Sequence, residues 1–327
     1  MAFLSNGAEW IQARMTYIPL ETARFLGDIS GLDVLDVGCG DMTADMGLLS
    51  LGPKHICGID LHAPEGASPV EEAAATVSNA GFTLPGEYPS RLSYTPYDGR
   101  TFPFPDNCFD LVFSWAVLEH VQDVPAVLRE MRRVAKPGGR IFIVVYPWYP
   151  CYTGSHLTDF IEEPYFHLNR PNEWVYGKLV EYMAAHPDET PRVLRIWQAY
   201  CTLNRYSARM FLAAAMDAGM VLERLQCHLN EEHADVAPGL VSIADAIATG
   251  TTVLLHPAKR PLAKATEPRY ADLAPQQLEG LRAQTAALAA HLAAERARRL
   301  DIEQSLSWRL TRPGRDLITL AKRCLRV

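Results

Sequence analysis

Val34-Leu35-Asp36-Val37-Gly38-Cys39-Gly40-Asp41 is an apolar run that carries one acid and stops at two glycines spaced by a single residue. A short apolar run closed in this way reads as a buried strand. Glycine just past its end lets the backbone approach a ligand more closely than any side chain would permit. A helix that follows offers free N–H groups at its first turn. The stretch therefore predicts a strand, a glycine loop and a helix arranged around a small ligand.

Four more strand-like runs follow: His55–Asp60, Arg91–Asp98, Phe109–Ser114 and Arg140–Tyr146. Helical patterns lie between them. In Val124–Ala135, for example, Val124, Val127, Leu128, Met131 and Val134 share one face. This alternation predicts an α/β, Rossmann-like parallel sheet with helices on both faces. A helix at Ser207–Ala218 and strands at Val221–His228 and Thr251–His256 would complete it. Ligands of such sheets sit at the carboxyl ends of the strands. Asp36, Gly38 and Gly40, then Asp60, then Asp98 with Gly99, and Ser114 at the end of the fourth run, therefore converge on one crevice and are the cofactor-binding candidates.

Two cofactor classes use a glycine loop of this kind. A dinucleotide fold has a third glycine where this chain has Thr43. Asp36 precedes the glycines, where it would repel a pyrophosphate and attract an ammonium group. S-adenosylmethionine carries an ammonium and no phosphate. Asp60 suits the ribose hydroxyls of either cofactor.

The chain has 327 residues, 48% hydrophobic and 21% charged, with a net charge of −7. One large domain with an appendage, or two domains, fits this length. The negative balance argues against nucleic acid as a partner. Seven cysteines without a CxxC pair read as reduced thiols in a cytoplasmic protein, with no metal site expected. No signal peptide and no transmembrane run is expected.

Taken in order, VLDVGCGD, GIDL, YDGRTFPFPDNCFDLVFSWAVLEHV and LREMRRVAKPGGRIFIVVYP resemble the class I S-adenosylmethionine-dependent methyltransferases, in particular the bacterial type 11-like small-molecule group. The resemblance runs from about residue 30 to 147 and weakly on to about 256. It implies a seven-stranded sheet with a reversed last hairpin. It also implies donor contacts from Asp36, Gly38 and Gly40, ribose contacts from Asp60, and adenine contacts from Asp98 with Gly99. Met42 stands where the family often has a further glycine.

Methyl transfer requires alignment of acceptor and donor. A carbon-acid or alcohol acceptor also needs a base. His120, just past the fourth strand, and His156 in the segment that follows the fifth are the catalytic candidates, with His167 and Asp159 behind them. Each of these also suits a structural hydrogen bond. Pro147–Arg192 interrupts the alternation and is rich in aromatics, Pro and His, which predicts an irregular inserted lid. Its aromatics, from Tyr146 and Trp148 to Trp174 and Tyr176, suggest a pocket for a sugar, or equally a packed lid core.

Two units are expected, at 1–262 and 263–327. Leu278, Leu281, Leu288 and Leu292 suggest a long exposed helix over 273–306. It would pair with another copy or with a glycan enzyme. Ser305–Val327 carries six Lys or Arg against one acid, plus Trp308, and suits the cytoplasmic face of an anionic inner membrane or a docking partner. Ser305–Pro313 (SLSWRLTRP) is similar to tails of bacterial enzymes of surface-polysaccharide assembly. That similarity implies O-methylation of a sugar hydroxyl, on a small-molecule or lipid-linked glycan acceptor, in O-antigen-like biosynthesis. A quinone-like, lipid or secondary-metabolite acceptor, and a non-catalytic scaffold, are the alternatives.

Overall fold

A computed structural model describes residues 7–61, 68–230 and 241–258. Backbone contacts divide the chain into Met1–Leu262 and Ala263–Val327, and every described residue lies in the first unit. The helix expected over 273–306 and the basic tail over 305–327 lie outside the described residues.

The sheet has seven strands: β1 (Asp33–Val37), β2 (His55–Asp60), β3 (Leu92–Pro96), β4 (Phe109–Trp115), β5 (Ala135–Val145), β6 (Met220–Leu229) and β7 (Ala248–Pro257). Their order is β3-β2-β1-β4-β5-β7-β6. The first five are parallel, with Val34 beside Ile56 on one side and Leu111 on the other. Strand β7 runs antiparallel to both β5 and β6, which gives the reversed hairpin. This is a Rossmann-like seven-stranded sheet with its last hairpin reversed. The chain winds outward from β1 through β2 to β3, then restarts on the other side at β4. The reversal opens a crevice at the carboxyl ends of β1 and β4.

Both faces of the sheet are covered, so alternate residues of one strand enter different cores. Val34 packs with Ile18–Leu26, Thr43–Leu48 and Pro69–Asn79, whereas Leu35 packs with Val124–Val134 and Ala208–Asp217. Helix Val124–Val134 starts where the Asp123 carboxylate accepts the Ala126 N–H at 2.9 Å, and its five apolar positions are all buried. Burial of each such side chain contributes about 1.5–3 kcal/mol. Its last turn explains the FPFPDN stretch. Arg133 donates to the carbonyls of Phe102 and Phe104 at 3.0 and 2.8 Å and to Asp106 at 2.9 Å, while Glu130 accepts the Phe102 N–H at 2.8 Å. That motif is a clamped loop.

The segment expected to be irregular is irregular over 147–165 and mostly helical beyond it. Phe166–Asn169, Asn172–Ala185 and Thr190–Thr202 are helices with a small core of their own, built on Leu157, Phe166, Val175, Leu179, Val193 and Ile196. Val193, Ile196 and Tyr200 do recur at helical spacing, but Pro171, Pro187 and Pro191 obscured the period. These prolines sit before or within the first turn of their helices, where they are tolerated.

Candidate functional site

At the carboxyl edge of the sheet lies a cavity of about 1180 Å³. Ligand pockets usually span roughly 300–1,000 Å³, so there is room for two small molecules side by side.

Its floor is the loop after β1. Gly38 and Gly40 take φ of 81° and 57°, a region that favours glycine, and the Gly38 and Cys39 N–H groups both donate to the Ile59 carbonyl. A Cβ on Gly38 would lie 2.4 Å from Val117 Cγ2. Met42 also has a left-handed backbone, φ 60°, although it carries a side chain. It therefore keeps the glycine-like turn that its residue type put in question, at a cost of about 1–2 kcal/mol. In return its side chain is wholly buried, with Cε packed close to Gly58.

Asp36 lines the cavity, is buried, and has an Oδ1 without a hydrogen-bond partner. Asp60, at the end of β2, accepts the N–H groups of Gly40 at 3.0 Å and Leu61 at 2.7 Å. Tyr97 and Gly99 extend the wall beyond β3. An orphaned buried carboxylate, a cradle that excludes side chains and an acid at the neighbouring strand end fit a cationic amino acid joined to a ribose. Asp98 is not on the wall. It is exposed, and its Oδ1 accepts the N–H groups of Arg100 and Thr101, so it shapes the turn that presents Gly99. Ser114 is also off the wall. It is buried and donates to the Val37 carbonyl at 2.9 Å, joining β4 to β1 beneath the loop.

His120 also lines the cavity. Its Nδ1 lies 3.3 Å from Thr202 Oγ1, and the Thr202 hydroxyl donates its proton to Ala199 O at 2.8 Å. Nδ1 must then be the donor, which leaves Nε2 as the nitrogen with the lone pair. Asn204 holds this loop from across the fold, donating to the carbonyls of Leu118 and Val121 at 2.6 and 2.7 Å. His156 does not reach the cavity wall. It is buried behind His120, and the two rings stack with centroids 5.4 Å apart. Burial lowers His120 below the usual histidine value and His156 further, to about 3. His167 is buried against the Tyr149 carbonyl at 2.8 Å, and Asp159 pairs with Arg192.

The aromatic wall differs from the one the sequence suggested. Of the lid aromatics only Tyr146 lines the cavity, while Trp148, Tyr165 and Phe166 are fully buried core. Trp10, Tyr17 and Trp115 line it instead, with Tyr17 edge-on to Trp115. Trp10, Arg14 and Tyr17 recur at helical spacing in the N-terminal segment, a signal that sequence reasoning passed over. Arg14 stacks on Trp10 at 3.7 Å and donates to Asp41 at 2.6 Å, which ties this helix to the glycine loop. Among the described residues no group of three or more His, Cys, Asp or Glu is placed to hold a metal ion. None of the described helices is long and apolar enough to cross a membrane.

The sheet order, the switch-point crevice and the acid–glycine floor match those of domains that hold S-adenosylmethionine as a methyl donor. Residues 35–143 match the family model described as a methyltransferase domain. Phosphoethanolamine N-methyltransferase 1 of Triticum aestivum is 27% identical over 188 residues, which cover 56% of this chain and 35% of that protein. The ubiquinone/menaquinone biosynthesis C-methyltransferase of Hahella chejuensis is 29% identical, over 54% of this chain and 70% of that one. A crystal structure of an S-adenosylmethionine-dependent methyltransferase from Mesorhizobium loti superposes with a TM-score of 0.42 at 19% identity, covering 76% of this chain and 97% of that one. The chain thus spans well under two thirds of the wheat protein that it matches.

Proposed function

We propose that this protein transfers a methyl group from S-adenosylmethionine to a hydroxyl of an acceptor bound in the same cavity, with His120 taking the hydroxyl proton. One observation carries the reading: a single cavity is lined by the orphaned Asp36, the glycine loop, Asp60, His120 and an aromatic wall. The donor supplies an electrophilic methyl on a sulfonium. The chain's own residues hold it: Asp36 attracts its ammonium, Gly38 and Gly40 admit its backbone, Asp60 accepts from its ribose, and the turn built by Asp98 offers Gly99 to its adenine. Ser114 keeps the floor in place. His120 has a free Nε2 lone pair and stays neutral at pH 7, which suits a proton acceptor. His156 supports the plane of that ring from behind.

The acceptor we favour is a sugar of a surface-polysaccharide precursor, lipid-linked or free, at the cytoplasmic face of the inner membrane. Trp10, Tyr17 and Trp115 offer faces for apolar sugar surfaces, and Arg14, Gln122, Asp123 and His228 give a polar rim for hydroxyl edges. The tail Ser305–Pro313 supports the same context by its sequence. The helix over 273–306 would bring a second copy or a glycan enzyme, and the basic tail would meet the anionic membrane surface. A quinol-like ring is the second reading, favoured by the aromatic wall and by the relative named for ubiquinone and menaquinone biosynthesis. Incubation with labelled donor and a lipid-linked glycan precursor beside a quinol should label the glycan. Label on the quinol alone overturns the sugar reading, and absence of donor binding returns the chain to a scaffold role.

A further inference from the structure

Asp45 is wholly buried in the helix Thr43–Leu48, behind the glycine loop, and the function just described leaves it unused. Its carboxyl faces that of Asp36, and both are buried. Two carboxyl groups can hydrogen-bond only when one of them carries a proton. Beyond this contact, Asp36 Oδ1 and both Asp45 oxygens have no partner among the described residues.

The surrounding charges explain why the proton stays. Asp41 and Asp60 flank the loop, and Arg14 is the cation that faces the acids, already engaged with Asp41 at 2.6 Å and Thr43 Oγ1 at 3.1 Å. Buried Cys39 beside them is held neutral by burial and by the acids around it. Two buried carboxylates without a second cation would repel each other strongly. The proton is the missing cation, and the donor's ammonium is a replacement for it.

We propose that Asp45 is a positioning residue that shares one proton with Asp36, and that arrival of the donor's ammonium expels this proton to solvent, so donor binding and proton release are coupled. The inference rests on the methyltransferase reading above. Burial raises both Asp36 and Asp45 above the usual carboxylate range, so the pair keeps a proton near neutrality. His120 and His228 are the titratable imidazoles on the cavity wall, and burial lowers both, so they are largely neutral at pH 7.

Calorimetry with S-adenosylhomocysteine in buffers of different ionisation enthalpy tests the coupling. Release of up to one proton is expected, with affinity several-fold weaker at pH 6 than at pH 8. In Asp45→Asn the amide donates to Asp36 without a shared proton. Its proton release should fall below that of the wild type, leaving only the titration of buried Asp36 itself and of the ligand's amine. His120→Gln should release as many protons as the wild type and serves if Asp45→Asn does not fold. Equal release from wild type and Asp45→Asn, loss of release in His120→Gln, or buffer-independent heats from the wild type overturn the inference. If S-adenosylhomocysteine does not bind at all, it is the methyltransferase reading that fails.

Discussion

The His120 ring lies on the His156 ring with centroids 5.4 Å apart and planes 18° from parallel, one histidine on the cavity wall and the other buried behind it. His120 is the base candidate with access to an acceptor. His120→Gln should lower kcat by about 10²–10⁴-fold. The dissociation constant of S-adenosylhomocysteine should stay within about twofold, because His120 is not among the residues assigned to hold the donor. His156→Asn should cost less in kcat and more in thermal stability. Since His120 titrates below the usual histidine value, the acid limb of kcat in the wild type, read with the donor saturating, should fall below pH 6.5. An acid limb above pH 7 would argue for a different base.

Gly38 has φ 81° and faces Val117 Cγ2, 2.4 Å from where a Cβ would stand. Gly38→Ala should weaken donor binding by more than about tenfold, since both the strain and the clash displace the loop. Adding Val117→Ala should recover only part of the loss, because it removes the clash and leaves the backbone strained. Calorimetric titration of the two variants checks this.

Glu119 is fully buried, and its Oε2 has no hydrogen-bond partner among the described residues. Burial raises its carboxyl to about 8 from an ordinary value of 4.5. Its folded value therefore exceeds its unfolded value. The stability it contributes is complete below pH 4.5 and is lost as pH rises through 8. Glu119→Gln removes this dependence. Relative to wild type, the variant should gain stability between pH 5 and pH 8, by on the order of a few kcal/mol, read from urea unfolding at both pH values. A pH-independent difference would show that the carboxyl is not held neutral.

Arg133 joins two carbonyls, Glu130 and Asp106 in one clamp. Arg133→Met keeps much of the side-chain volume and removes every donor. It should destabilise the fold by about 2–4 kcal/mol, since it strands Glu130 and the Phe102 and Phe104 carbonyls. Donor affinity should change little if the FPFPDN stretch is a structural clamp. Melting temperature and donor titration on the same preparation separate the two effects.

Strands were legible wherever a period belonged to one segment. Asp33–Val37 and His55–Asp60 are strands with the boundaries read from their residues, and Val124–Val134 is one residue shorter than expected. The helices after β5 were hidden because prolines and aromatics look alike in a loop and in a packed helical core. Trp148 illustrates the ambiguity: its type suits a ligand wall, and it is buried against Thr251, far away in sequence.

The chain's local chemistry alone determined the sheet, the glycine loop and the acids at the strand ends, because each depends on neighbours within a few residues. Tertiary structure alone decided which side chains share the cavity. It turned Asp98 into a turn-former, put Ser114 beneath the floor, stacked His156 behind His120, brought Trp10 and Arg14 over the loop and set Asp45 against Asp36. The physical reason is that burial and pairing belong to contacts between distant segments, and these control the charge state of each acid and imidazole.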